Sequence, residues 1–162
     1  MAPTIIILSL FFITVFIVIS IQKSLKKDNY NNLIKKNDFK GFLKLTKLYL
    51  REKKWDKAID TINRWLKQDP YHLRGLSTKA FVYYFMGNFN EASEIIEKGL
   101  KIDPNYSEFL YLASELEREK GNKESGKELK EKAYEKNKNL KIIDTWYAGY
   151  GSKIDRYVSL YK

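Results

Sequence analysis

One pattern of residues occurs twice in this chain, with a 34-residue period. The stretch KKWDKAIDTINRWLKQDP ends at Pro70, and the stretch GNFNEASEIIEKGLKIDP ends at Pro104. Ala58 in the first aligns with Ala92 in the second. A fixed period of roughly 20–50 residues is the signature of units that stack, because one unit cannot bury its apolar face alone. The period therefore predicts a stack of similar units that share a core.

Each unit is predicted to be two antiparallel amphipathic helices of about 14 residues. The turn inside a unit falls at Lys53-Lys54 and again at Gly87-Asn88, and an Asp-Pro pair ends the unit because proline blocks helix continuation. A small residue, Ala92, is expected to let the second helix approach the first opposite Ala80. The alternation typical of strands is absent, so the predicted fold class is all-α.

The spacing resembles that of the tetratricopeptide repeat, whose pattern is W-x2-L-G-x2-Y, then A-x3-F, then P. The first unit matches it with Phe42, Leu45, Thr46, Tyr49, Ala58, Ile62 and Pro70. The second unit matches it with Leu76, Lys79, Ala80, Tyr83, Ala92, Ile96 and Pro104. The resemblance covers residues 39–106. It implies a right-handed α-solenoid of about three helix pairs, with a concave groove lined by the first helix of each pair.

A third unit, residues 107–138, follows the pattern less closely. Glu117 stands where the other units have tyrosine, Gly126 replaces the alanine, and Lys138 replaces the proline. Its second helix is mostly charged, as expected of a terminal unit that covers the end of a stack. The aromatic-rich tail, residues 139–162, is predicted to form capping helices, packed on the third unit or reserved for a partner.

The N-terminal stretch from Thr4 to Gln22 carries no charge and is long enough to span a bilayer as a helix. A cleaved signal peptide is the alternative, but no Lys or Arg precedes the stretch and no A-x-A site follows it. The predicted organisation is an anchor over residues 1–22, a polar juxtamembrane linker over 23–38, repeats over 39–72, 73–106 and 107–138, and capping helices over 139–162. Five lysines follow the anchor and none precedes it, which favours a cytoplasmic domain over an extracytoplasmic or periplasmic one.

Composition limits the chemistry. The chain has no Cys and one His, so Cys-ligated zinc, thiol catalysis and a histidine cluster are excluded. His72 is interpreted as a solvated loop residue after Pro70. The sequence predicts no enzyme activity, no metal, no cofactor and no small-molecule substrate.

The net charge is +10, but 25 of the 30 basic residues are Lys. This excess is typical of a lysine-rich background composition and less typical of a phosphate-binding surface, where Arg is favoured.

The resemblance implies a peptide-binding groove on the first helices. Such a groove would be basic at one end and aromatic at its centre, and would suit an amphipathic helix or an extended peptide. The residues expected to line it are Leu43, Lys47, Leu50 and Arg51 in the first unit, Ser77, Phe81, Tyr84 and Phe85 in the second, and Tyr111, Glu115 and Arg118 in the third. An alternative is that Tyr84 and Phe85 only pack between repeats.

Relatives that capture chaperone C-terminal carboxylates do so with Lys, Asn and Arg side chains. Here the corresponding positions hold Leu43, Lys47, Thr78, Glu108 and Leu112, so the resemblance does not extend to that mode of docking. The function expected is a membrane-anchored scaffold or assembly adaptor for protein partners. Two alternatives stay open: a permanent structural subunit of a membrane-associated secretion, motility or energy-converting machine, and a lysine-rich surface that binds anionic lipid or nucleic acid.

Overall fold

The computed structural model describes residues 12–22 and 39–141. The chain divides into two units, Met1–Gly41 and Phe42–Lys162. In the first unit, residues 12–22 are helical and exposed. No helix in the part of the chain that the structure describes is both long and apolar enough to cross a membrane. The predicted anchor is therefore not supported, although residues 1–11 of it lie outside the described residues, as do the predicted linker over 23–38 and the tail from 142 onward.

Six helices follow in three consecutive pairs. They are α1 (Phe39–Arg51) and α2 (Trp55–Gln68), α3 (Leu73–Met86) and α4 (Phe89–Ile102), and α5 (Ser107–Glu119) and α6 (Lys123–Lys136). The first helices of the pairs start at residues 39, 73 and 107, and the second helices at 55, 89 and 123. The period of the sequence is thus kept by the helices of all three pairs. The prediction of an all-helical array is confirmed.

The turn inside each pair has the same backbone geometry. One residue in it has positive φ: Lys53 at 55°, Gly87 at 81° and Gly121 at 88°. The next amide donates to the carbonyl oxygen five residues earlier, at 2.9 Å from Lys54 to Tyr49 and 2.8 Å from Asn122 to Glu117. This bond closes the left-handed ending common at helix C-termini, where glycine is favoured because it has no Cβ. The first turn therefore holds a lysine where the other two hold glycine.

The turn that ends each pair is also repeated. Asp69, Asp103 and Asn137 are equivalent residues of the three repeats, and all are extended, with φ between −138° and −144°. Each side-chain oxygen accepts a hydrogen bond from the amide two residues later, at 3.2, 2.9 and 3.1 Å. This Asx turn holds the chain in place at Asn137, where Lys138 replaces the proline of the other two turns.

Within each pair, a small residue on the second helix lies in the core. Ala58 and Ala92 are fully buried, as the sequence predicted. In the third pair, a methyl group added to Gly126 would lie 2.9 Å from the Ser114 carbonyl oxygen. The backbones of α5 and α6 therefore approach too closely for an alanine, which explains the glycine at this position.

At each of the two junctions between pairs, a large side chain packs against a glycine, but the helix that carries the large side chain differs. Trp65 of α2 is fully buried, and a methyl group added to Gly75 of α3 would lie 3.4 Å from its ring and 2.8 Å from Leu66. At the next junction the small residue is Gly99 of α4 and the large one is Phe109 of α5, whose ring occupies the space of a Gly99 side chain. Both contacts use the same two repeat positions, because Trp65 is equivalent to Gly99 and Gly75 is equivalent to Phe109 in the repeat alignment.

Candidate functional site

The predicted groove residues divide into three groups by burial. Arg51 and Arg118 are exposed, and Lys47 and Phe85 are half-buried. The remaining seven are buried: Leu43, Leu50, Ser77, Phe81, Tyr84, Tyr111 and Glu115. These seven side chains belong mainly to the packing of the array, because a side chain with less than a tenth of its surface exposed offers little contact to a partner. Among the predicted set, a partner would meet chiefly Lys47, Arg51, Phe85 and Arg118.

An aromatic row runs along α3 and on to α5. The ring centroids of Phe85 and Phe81 are 6.2 Å apart, and those of Phe81 and Tyr111 are 6.4 Å apart, both pairs stacked. Tyr84 meets Phe85 edge-on at 5.7 Å. Because Phe81 and Tyr111 are buried, the row ties the second pair to the third and fixes Phe85 as its partly exposed end.

The Tyr84 hydroxyl donates a 2.9 Å hydrogen bond to Oε1 of Glu119, 35 residues away on α5. This bond satisfies a phenol that is otherwise buried, and it couples the ends of α3 and α5. Tyr84 thus packs between the second and third pairs.

A basic cluster lies where α1 meets α3. Burial, followed by the positive charges of Arg51 and Arg74, lowers the pKa of Lys47 to about 8. The charges of Arg51 and Arg74 both act on Lys47, so the three cationic groups are close enough to interact. Arg74 also makes a side-chain hydrogen bond with Tyr106, whose pKa is raised by burial and by Glu108. The cluster therefore extends from the first pair to the start of the third.

Carboxylates predominate on α5. The buried Glu115 accepts hydrogen bonds at 3.1 Å from both Arg118 and Lys130. Lys130 also lies 5.3 Å from the centroid of the Tyr111 ring. The charge of Glu115 is thus balanced inside the third pair, which allows a carboxylate to be buried at modest cost.

His72 lies in the turn after Pro70, as predicted, but it is only partly solvated. It is half-buried, and its ring lies 4.9 Å from the ring of Trp65. Its Nδ1 accepts a 3.3 Å hydrogen bond from the amide of Gly75 and so caps α3. Only the tertiary packing places Trp65 beside it, which is why the sequence pattern gave no sign of this role.

Several residues of this face were missed from the sequence: Arg74, Tyr106, Glu119 and Lys130. Arg74 and Glu119 occupy repeat positions on the first helices, and extending the repeat alignment over their first and last turns would have found both. Tyr106 and Lys130 lie outside the first helices, so the period gave no signal for them. Among residues 12–22 and 39–141, no three His, Cys, Asp or Glu side chains gather as a metal ion would need.

Residues 49–116 match the family model of the tetratricopeptide repeat. The tetratricopeptide-repeat assignment is supported. Two curated relatives from Arabidopsis thaliana, Hsp70-Hsp90 organizing proteins 2 and 3, are 30% and 27% identical to this chain over 84 residues. Those residues are 51% of this chain and only 15% of each relative, so the similarity concerns one repeat region of much longer proteins.

Solved structures show the same fold. A crystal structure of MamA aligns with a TM-score of 0.56 and 20% identity, over 74% of this chain and 72% of that one. The Sgt2 tetratricopeptide domain from Aspergillus fumigatus aligns with a TM-score of 0.54 and 23% identity, over 72% and 71%. At such identities the likeness shows the fold alone, and the fold is a helical solenoid of the tetratricopeptide type.

Proposed function

We propose that this protein is a non-catalytic scaffold that binds a segment of a partner protein on the face formed by α1, α3 and α5. The observation that carries the proposal is Phe85, a partly exposed aromatic ring on α3, the middle one of the three first helices. It is held in place by Phe81 and Tyr84, so little conformational entropy is lost when a partner packs on it. Aromatic anchors fixed in this way commonly dominate the binding energy of an interface.

The similarity of the repeat region to two Hsp70-Hsp90 organizing proteins supports a role in organising protein partners. The residues expected for capture of a chaperone carboxylate are absent from this chain. The proposed partner therefore binds by other contacts on the face of the first helices. Leu43 and Leu112 are buried in the core, so they offer no polar group to such a ligand.

Cross-linking in whole cells, followed by purification of the full chain, tests the proposal. We expect Phe85→Ala to reduce the recovered partner at least tenfold, the size expected for an aromatic anchor worth more than about 1.4 kcal/mol. Tyr71→Ala is the matched control, because it removes an exposed aromatic ring, 67% accessible, from the turn between α2 and α3. Equal recovery with both variants would refute the proposed face.

The same purification distinguishes the two alternative functions. A stoichiometric, salt-resistant complex would indicate a permanent structural subunit, and a steep loss of binding with added salt would indicate binding to anionic lipid or nucleic acid.

We also propose that residues 4–22 attach this scaffold to a membrane, with the repeats on the cytoplasmic side. The support is the uncharged stretch from Thr4 to Gln22 and the lysines after it. Extraction of membranes with alkaline carbonate tests the attachment, since an integral segment stays in the pellet and a peripheral protein is released. Because the chain lacks Cys, a single Cys introduced at Lys138 reports the side by its reaction with an impermeant maleimide before and after lysis.

A further inference from the structure

One edge of the array brings together the ends of the second helices and the starts of the first helices. Phe42, near the start of α1, stacks on Trp65, near the end of α2, with 6.4 Å between ring centroids. The turn before α3 reaches the end of α4, because the Lys98 amine lies 5.6 Å from the centroid of the Tyr71 ring. We call this side the inter-pair edge, and it comprises residues 65–76, 98–110 and 133–140.

The exposed charge of the inter-pair edge is mostly positive. Glu135 is the one exposed carboxylate among the residues that form it, all of which the structure describes. Asp69 and Asp103 are half-buried, and each accepts a hydrogen bond from the amide two residues later. Six cations are exposed on the edge: Lys67, Arg74, Lys98, Lys101, Lys136 and Lys138. The edge therefore attracts anions.

The lysines at the end of α4 are not neutralised by the protein. Lys98 and Lys101 form no salt bridge with any residue that the structure describes. At the opposite edge, where the turns inside the pairs lie, Lys54 pairs with Glu52 at 2.6 Å, and Lys120 pairs with Glu117 at 2.9 Å. A ligand anion at the inter-pair edge would thus gain a charge partner without breaking an ion pair.

Exposed apolar side chains lie beside these lysines. Between residues 42 and 141, three large apolar side chains are at least 40% exposed, and two of them belong to the inter-pair edge: Tyr71 at 67% and Ile102 at 42%. Ile102 lies one helical turn after Lys98, so the two side chains share a face of α4 with Tyr71 next to it. A nucleic acid would use the lysines and leave Ile102 in water, whereas the surface of a bilayer accommodates both.

Resting on the proposed attachment to a membrane, we propose that the inter-pair edge lies against the bilayer and contacts anionic lipid headgroups. Lys67, Lys98 and Lys101 pair with the headgroups, and Tyr71 and Ile102 enter the boundary of the hydrocarbon. The cytoplasmic leaflet carries such anionic lipids. The face that bears Phe85 stays open to a partner, because it is formed by the sides of the first helices and not by their ends.

The length of the chain before the array favours this contact. Residues 23–38 lead from the proposed attachment to α1, whose start belongs to the same edge because Phe42 stacks on Trp65. This stretch spans at most about 55 Å when fully extended. The tether therefore keeps the edge at a high effective concentration near the bilayer, so a few weak contacts suffice to hold it there.

Fluorophores at two matched positions test which edge meets the bilayer. Because the chain has no Cys, Asn105→Cys labels the inter-pair edge and Asn90→Cys labels the start of α4, and both positions are exposed and uncharged. The full chain is reconstituted into vesicles of phosphatidylcholine and phosphatidylserine that contain a lipid with a nitroxide on its headgroup as quencher. We expect strong quenching at position 105, weak quenching at position 90, and loss of the difference without phosphatidylserine. Equal quenching at both positions, or no dependence on phosphatidylserine, would overturn the inference.

Charge variants measure the contribution of the lysines. Lys98→Gln with Lys101→Gln should lower the ratio of quenched to unquenched label at position 105 at least about tenfold, since each lysine near an anionic surface contributes several-fold. Lys123→Gln with Lys127→Gln removes two exposed charges from the start of α6, near the opposite edge, and should leave the ratio unchanged. Equal weakening by both double variants would show that the total charge of the chain, and not this edge, draws the array to the bilayer.

Flotation of the same vesicles separates this inference from the attachment on which it rests. If the chain floats with pure phosphatidylcholine but position 105 is never quenched, the attachment stands and the inference fails. If the chain floats only with phosphatidylserine and position 105 is quenched, the edge binds lipid by itself and the attachment through residues 4–22 fails. If the chain floats with neither kind of vesicle, both fail.

Discussion

Lys53 shows how a single residue can depart from the pattern of its own repeat. It has a φ of 55°, whereas the equivalent positions hold Gly87 and Gly121. An L-residue with a Cβ in this region costs about 1 kcal/mol, and the cost is local because the side chain is exposed. The first turn is therefore formed against the preference of its sequence, and the hydrogen bond from the Lys54 amide to the Tyr49 carbonyl oxygen closes it.

We expect Lys53→Gly to stabilise the protein by about 0.5–1 kcal/mol, since glycine adopts this backbone conformation without a steric cost. Urea unfolding of the full chain measures the change as a shift of the midpoint at constant slope. Lys54→Gly is the matched control: it lies next in the chain but has a φ of −92°, so glycine there should destabilise. Stabilisation by both variants would contradict the explanation.

The pKa of Lys47 gives a pH dependence of stability at the same scale. Folding lowers this pKa from its ordinary value of 10.5 to about 8, so the unfolded chain binds more protons between these pH values. Stability should therefore rise with pH from about 8 to 10.5 through this group.

Lys47→Met removes the titrating group, so the difference in unfolding free energy between wild type and variant should shrink from pH 7.5 to pH 10. We expect the variant to be the more stable protein at the lower pH. Lys57→Met, at an exposed position on α2, is the control for the loss of one positive charge. A constant difference for Lys47→Met would show that folding does not lower the pKa of this group, either by burial or by the neighbouring cations.

At the scale of the element, the residues near a helix end determine where the helix stops, whereas its contacts depend on residues distant in the chain. The turn after α6 keeps the extended geometry of Asp69 and Asp103 at Asn137, although Lys138 replaces proline. The Asx hydrogen bond suffices to end the helix. Proline adds rigidity in the first two turns, chiefly by restricting the unfolded chain.

Lys138→Pro should therefore stabilise the protein by about 0.4–1 kcal/mol. The expectation rests on Asn137, whose φ of −144° and ψ of 97° match those of the residues that precede Pro70 and Pro104. Thermal unfolding measures it as a rise in Tm. Lys136→Pro, two residues earlier within α6, should lower Tm because it removes a helical hydrogen bond. A lower Tm for Lys138→Pro would show that the third turn is not equivalent to the other two.

The junction of α4 and α5 depends on a glycine that faces an aromatic ring. Gly99→Ala would place a methyl group within the Phe109 ring, so we expect a loss of about 1–3 kcal/mol. Phe109→Leu should reduce that loss, because the shorter side chain leaves room for the methyl group. A double-mutant cycle measured by urea unfolding gives the coupling between the two sites. Additive effects would mean that the two residues do not compete for the same space.

At the scale of the whole array, each pair is stabilised by its contacts with the neighbouring pairs. A substitution that weakens one junction should therefore destabilise chiefly the pair that loses its contacts there. Gly99→Ala should raise amide hydrogen exchange in α5 and α6 more than in α2, since the third pair loses its main contact while the first keeps Trp65 against Gly75. Mass spectrometry of exchanged peptides measures this. A uniform increase would indicate that Phe42–Lys136 unfolds as one unit.

Much of this molecule was accessible from one sequence because its regularities are local. The repeat period, the turn residues and the Asp-Pro signals predicted the helix pairs, since each depends on residues close in the chain. The polarity of the groove, basic at one end and aromatic at the centre, stays a prediction.

The remainder depended on contacts between residues distant in the chain. Nothing in the sequence pattern showed that Trp65 would pack against Gly75 and against His72, which caps α3. Nor did it show that at the next junction the small residue, Gly99, would lie on the second helix and the large one, Phe109, on the first. Burial likewise decided that Phe81, Tyr84 and Tyr111 build the array and that Phe85 remains partly exposed. Local sequence determines where helices start and end, whereas the packing of neighbouring pairs decides which side of each helix a partner can reach.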